Sequence, residues 1–344
     1  MGEAFISRRG TSEAKLTFDL ARFGNNTPSR LVIADFYVSP APASRMAGCQ
    51  NNFYALFAGG SSGRAKVFAF NAALIALTPT ELSVGRESMG AAQVGDYCLF
   101  AGGSASNVQA TVDAYNASLV RSTPTALSQA VTFGGAAKVG DYALFAGGIN
   151  SDFVQAYNSS LVRSTPTVLS VKRNGMGAAS NRNYAIFAGG SSSGGNHNTV
   201  DAYNASLTRS TPTGLSLART DVSGASMGGL FAVFAGGEIS GSTPRAVVDA
   251  YDLNLTRVVL TDLSRAVDAP ASASFNGYAL FLGGDGTVLY DLNAYTLGKM
   301  IIPVPKGSTY ELNSMYGTAA NDMLLEVGLP ATGWIKLKSN NFIN

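Results

Sequence analysis

Histidine occurs once and cysteine twice in this chain of 344 residues. So few soft ligands exclude a histidine- or cysteine-built metal centre and a disulfide framework. Free thiols at Cys49 and Cys98 are expected, with a single bridge between them as the alternative. Tryptophan occurs only as Trp334, and charged residues make up just 13% of the chain. The net charge of +2 supplies no broad basic field, so nucleic acid is not an expected partner. The first 20 residues carry Arg8, Arg9, Glu13, Lys15 and Asp19 and lack an apolar core. Neither a signal peptide nor a membrane-inserting segment is expected there.

What the chain has instead is glycine, 39 in all, within a composition that is 46% apolar. That balance suits a sheet-rich, well-buried fold. Phe-Ala-Gly-Gly ends at Gly60, Gly103, Gly148, Gly190 and Gly237, and Phe-Leu-Gly-Gly ends at Gly284. The intervals of 43, 45, 42, 47 and 47 residues match the period of a propeller blade.

Residues 90–128 show one unit. The small-residue strand Gly90-Ala-Ala-Gln-Val turns at Gly95-Asp96 into Tyr97-Cys-Leu-Phe-Ala. A polar loop leads to Thr111-Val-Asp-Ala-Tyr115, the turn Asn116-Ala-Ser118 and a short fourth strand that stops at Pro124. The glycine- and alanine-rich strand suits the crowded inner position, and the aromatics fill the space between sheets. One such sheet cannot bury both faces, so neighbours must stack on it.

Spacing separates frame from freedom. The third-strand aromatic precedes a proline by nine residues at Phe70, Tyr115, Tyr157 and Tyr203. The following double glycine then begins 23 residues on, or 24 after Pro212. From double glycine to aromatic, however, the distances are 10, 12, 9, 13, 14 and 6 residues, the last taken to Tyr290. Length variation thus falls in one loop per unit, which must be exposed. The Asn-x-Ser/Thr triplets at Asn116, Asn158, Asn204 and Asn254 read as turn residues rather than glycosylation acceptors.

The double glycine, the strand Val-Asp-Ala-Tyr-Asn (Val112 to Asn116, Val200 to Asn204) and the short fourth strand resemble the kelch-type β-propeller across residues 44–299. The resemblance implies an all-β propeller of four-stranded antiparallel blades. The usual fourth-strand tryptophan is replaced by Arg-Ser-Thr-Pro, which marks a divergent member. Tyr316 to Gly328 reads as a worn copy of two strands and Trp334 to Lys338 as a third, with Leu31 to Phe36 as a candidate fourth. Seven blades are therefore expected, six being the alternative, closed over residues 31–344 by strands from both termini. Residues 1–30 are expected to be an arm or extra strands. The opening Gly2 to Gly10 resembles the starts of tail-associated proteins of phages of Gram-positive bacteria.

Chemistry is sparse. His197 sits in a glycine-serine loop, and no nucleophile-elbow motif accompanies it. The tyrosine-histidine-cysteine set of copper-oxidase relatives is not matched. Neither catalytic residues nor a cofactor or metal is expected. A carboxylate-only glycosidase carries no sequence signature, and a sugar-active enzyme is the least favoured reading.

Binding is favoured. Kelch-like geometry opens loops 61–66, 104–110, 149–153, 191–199, 238–246 and 285–287 on one face. It also brings Arg45, Arg86, Lys172, Arg173, Arg219 and Arg265 towards that face. With Asn150, Asp152, Asn196, His197 and Asp285, these form the candidate ligand-binding set, suited to acidic sugars. The alternative for each arginine is a structural bridge between blades. The leading expectation is a virion tail protein that recognises a cell-surface glycan or receptor, joined to tail proteins through residues 1–30 and able to oligomerise. Outside a virion, the alternative is a cytoplasmic interaction scaffold.

Overall fold

A computed structural model describes residues 45–71, 75–239, 243–275, 277–284 and 291–296. It also gives the backbone strands Glu3–Ser7, Glu13–Thr17, Leu31–Val32, Glu311–Ala319, Asp322–Gly328 and Gly333–Lys338. The chain divides into two compact units, Met1–Leu297 and Gly298–Asn344. Among the described residues there are no helices, and hence none long and apolar enough to cross a membrane.

The first unit holds six four-stranded antiparallel sheets, the lower of the two blade counts expected. Blade two is typical: Gly90–Val94, Tyr97–Ala101, Val112–Tyr115 and Arg121–Ser122 pair in order from the inner to the outer strand. Blades one, three, four and five repeat that order. Blade six is built from Ala271–Phe275, Tyr278–Leu282 and Asp291–Tyr295, with Leu31–Val32 as its outer strand. Leu31 was expected in a seventh blade. It pairs instead with Leu292, and Val32 with Asp291, on the outer side of the third strand of blade six. The sixth aromatic also shifts, from Tyr290 to Tyr295, which packs on Phe281.

Glu3–Ser7 and Glu13–Thr17 form an antiparallel pair of their own. The second unit contains Glu311–Ala319, Asp322–Gly328 and Gly333–Lys338 as a three-stranded antiparallel sheet. Its strands coincide with the worn copy read from the sequence.

Between blades, five apolar clusters fill the junctions. Ala92, Leu99, Val112 and Ala114 of blade two, for example, pack on Ala143, Phe145 and Tyr157 of blade three. In each blade the second-strand phenylalanine meets the third-strand aromatic edge-on, as in Phe187–Tyr203, with ring centroids 6.0 Å apart. The buried tyrosine then donates its hydroxyl to a threonine carbonyl contributed from the segment before its blade: Tyr115 to Thr80, Tyr157 to Thr125, Tyr203 to Thr167, Tyr251 to Thr213. Burial pushes the Tyr157 phenol up to about 12, which keeps the donor proton in place.

The double glycine follows from the same close approach. Gly147 and Gly148 hold φ at 67° and 120°. A β-carbon on Gly147 would lie 2.7 Å from the Arg173 carbonyl of the incoming blade. Gly148 donates its N–H to that carbonyl at 3.0 Å. The Asn-x-Ser turns are likewise backbone devices. Asn116 Oδ1 accepts from the N–H groups of Ser118 and Val120, both at 2.9 Å.

Candidate functional site

The face bearing the variable loops is organised by a rim of six residues, one before the inner strand of each blade: Arg45, Ser88, Phe133, Gly175, Asp221 and Ala269. All have left-handed backbone, with φ between 42° and 62°. They are joined head to tail. Ser88 donates its N–H to Arg45 O, Phe133 to Ser88 O, Gly175 to Phe133 O, Asp221 to Gly175 O and Ala269 to Asp221 O, at 2.7 to 3.4 Å. Non-glycine residues pay about 1 to 2 kcal/mol in this conformation, a cost that these blade-to-blade bonds offset. Glycine is needed at 175, where a β-carbon would lie 2.4 Å from Thr220 Oγ1.

Side chains on this rim create two distinct regions. On one side Arg45 reaches Glu87 at 3.0 Å while its guanidinium lies 5.9 Å from the centre of the Phe133 ring. Phe133 is 42% exposed and Ile149 50%, and the Ile149 N–H bonds to the carbonyl of Thr132, the residue before Phe133. Arginine, carboxylate and open aromatic ring thus meet at one place. On the other side Asp221, Glu238 and Asp268 each bring a carboxylate oxygen within 4.8 Å of the others. This half-buried trio is the group among the described residues with the donor set for a hard cation. Sequence reading overlooked it by considering histidine and cysteine ligands only.

Arg86, Arg173 and Arg219 are a correction to the expected set. They are 0%, 1% and 0% exposed and face the interior of their own blades. Arg86 Nη1 pairs with Asp113 Oδ2 at 2.8 Å, Arg173 Nη2 with Asp201 Oδ2 at 2.8 Å, and Arg219 Nη1 with Asp249 Oδ2 at 2.9 Å. Each aspartate also takes the N–H and hydroxyl of a serine, as Asp113 does from Ser83. Burial lowers the Arg173 and Arg219 pKa values, opposed by the paired aspartates. These guanidiniums are pins of the frame, unable to reach a ligand.

The remaining expected residues divide by place. Arg45, Lys172, Arg265 and Asn150 are exposed, and Asp152 is half-buried. Asp285 lies outside the described residues. Asn196 and His197 belong to the hairpin Ser191–Ser192 and Gly195–Asn196 of blade four. Asn196 Nδ2 donates to the Glu238 carbonyl of blade five at 3.1 Å, tying neighbouring loops together. His197 Nε2 lies 2.8 Å from Ser192 Oγ. Its pKa is lowered by burial first and by nearby Arg173 second. Among the described residues no carboxylate hydrogen-bonds the imidazole, so the serine–histidine contact is not completed to a triad.

No protein-family model matches the chain, and no curated protein matches it in sequence. Solved structures do match, 512 chains in all. One of them, described as "Structure of YjhT", aligns with a TM-score of 0.60 over 75% of this chain and 95% of its own, at 12% identity. That likeness shows the fold: a β-propeller of four-stranded blades.

Proposed function

We propose that this propeller is a non-enzymatic recognition module whose variable-loop face binds a cell-surface glycan or receptor. One observation carries the reading: Arg45, Glu87 and the open ring of Phe133 converge on a rim that the backbone bonds hold rigid. An exposed aromatic face beside a guanidinium and a carboxylate suits a ligand with an apolar ring face and charged or hydroxyl substituents. Rigidity lowers the ordering cost of binding.

The repeated frame with loops of differing length supports the same reading, since binding residues concentrate on loops held by a rigid scaffold. The resemblance of Gly2 to Gly10 to tail-associated phage proteins extends the proposal to a virion tail, with the N-terminal strand pair as the attachment. An interaction scaffold inside a cell would use the same face for a protein.

A glycan array of host-wall fragments, followed by a turnover assay on any bound sugar, tests this. Expected is binding without conversion, weakened at least tenfold by Phe133→Ala or Arg45→Ala while the unfolding midpoint stays put. Conversion of a bound sugar, or binding indifferent to both variants, overturns the proposal.

A further inference from the structure

The two cysteines of the chain occupy a repeated position. Each junction places the third residue of one inner strand against the second residue of the next blade's second strand. In four junctions both are alanine and lie in a single apolar cluster: Ala92 with Ala143, Ala137 with Ala185, Ala179 with Ala232, Ala225 with Ala279. In the junction of blades one and two the same positions hold Cys49 and Cys98. Where the other junctions have only facing methyl groups, two sulfur atoms must fill nearly the same space. Both belong to the one apolar cluster that fills this junction, where the Cys49 thiol donates to the Gln50 carbonyl at 3.8 Å.

We propose that Cys49 and Cys98 form a disulfide that staples blade one to blade two when the chain meets a low-molecular-weight disulfide such as oxidised glutathione. The substitution is paired: neither cysteine stands opposite an alanine, as it would if each were an independent small-residue replacement. Cys98 is fully buried and Cys49 half-buried, so the order of events is fixed. The Cys49 thiolate attacks one sulfur of the oxidant, forming a mixed disulfide and expelling one glutathione thiolate. Cys98 then loses its proton and attacks the Cys49 sulfur, expelling the second. The protein gains one S–S bond and loses two protons, and the oxidant is reduced to two thiols. Cys98 is wholly buried and must lose its proton there, which makes the second step the slow one.

The test uses the native full chain, incubated with oxidised glutathione and then digested with trypsin without reductant. Expected is an intact mass lower by two hydrogens and a linked pair of peptides, residues 46–64 with residues 87–121. The unfolding midpoint should rise by several degrees and return on reduction. Cys49→Ala/Cys98→Ala reproduces the alanine pair of the other junctions, so it should fold and ignore the oxidant. Two free thiols after oxidation, glutathione retained on Cys49, or disulfide-linked dimers in place of the internal bridge would each overturn the proposal.

Discussion

Arg219 Nη1 lies 2.9 Å from Asp249 Oδ2, with both side chains wholly withdrawn from solvent. The same pair recurs as Arg86–Asp113 and Arg173–Asp201. Blade three has Val131 and Gln155 at these positions, and blade six has Val267 and Asn293. Their amide oxygens still accept the serine N–H, from Ser128 and Ser264 respectively. The chain therefore contains its own double exchange: where the cation is lost, the anion becomes an amide.

Arg219→Val alone should cost about 3 kcal/mol, because the buried Asp249 carboxylate keeps only the more distant Arg257, at 3.9 Å, as its counter-charge. Arg219→Val/Asp249→Asn should recover most of that loss, matching the pair in blade six. Urea unfolding of both variants decides it. Equal destabilisation by the single and double changes would refute the pairing argument.

Gly147→Ala should destabilise by at least about 1 to 3 kcal/mol from backbone strain, with more from the 2.7 Å approach to Arg173 O. Gly195→Ala shares a positive φ of 111° but meets nothing within 4 Å. A smaller loss for Gly195→Ala, whose φ is the less tolerant of a side chain, would show that the blade contact outweighs backbone strain at Gly147.

Tyr203→Phe keeps the edge-on stack with Phe187 and removes only the hydroxyl that donates to Thr167 O at 2.8 Å. The expected loss is about 0.5 to 1.5 kcal/mol, the net worth of one hydrogen bond, because Thr167 is exposed and water can reach its carbonyl. An unchanged unfolding midpoint would show that the inter-blade bond adds nothing.

His197 is the chain's single histidine, so its imidazole proton resonances should report one titration. The pKa should fall below the ordinary histidine value, because burial and Arg173 disfavour the cation. A depressed folded value means the unfolded chain binds the proton first. The stability contribution is therefore full above the ordinary value and is lost as pH falls from there through the folded value. His197→Asn should flatten that slope; a midpoint at or above the free imidazole value contradicts the assignment.

The frame was legible because its causes leave periodic marks: double glycine where blades touch, tyrosine where a hydroxyl must cross a junction, asparagine where the outer hairpin turns. Burial of Arg86, Arg173 and Arg219 was also written in the chain, in the exchange of arginine and aspartate for valine and an amide. An arginine viewed without its partner column looks the same whether it faces solvent or core. The rim had no such mark. Arg45, Ser88, Phe133, Gly175, Asp221 and Ala269 share a backbone conformation and a hydrogen-bonding role but no side-chain chemistry. Leu31–Val32 was recognisable as a strand, yet its partner, Asp291–Tyr295, lies about 260 residues away, a pairing that sequence order does not reveal.

The rim bonds all run in one sense, from each blade back to the one before it. Their peptide dipoles circulate around the mouth instead of pointing along its axis, so the backbone adds little to the potential an approaching molecule feels there. Charge on this face therefore comes from side chains: exposed Arg45, Lys172 and Arg265, and the half-buried Glu87, Asp221, Glu238 and Asp268. Exchanging a handful of those side chains would reverse the sign of the charge on the proposed binding face while every blade stayed as it is.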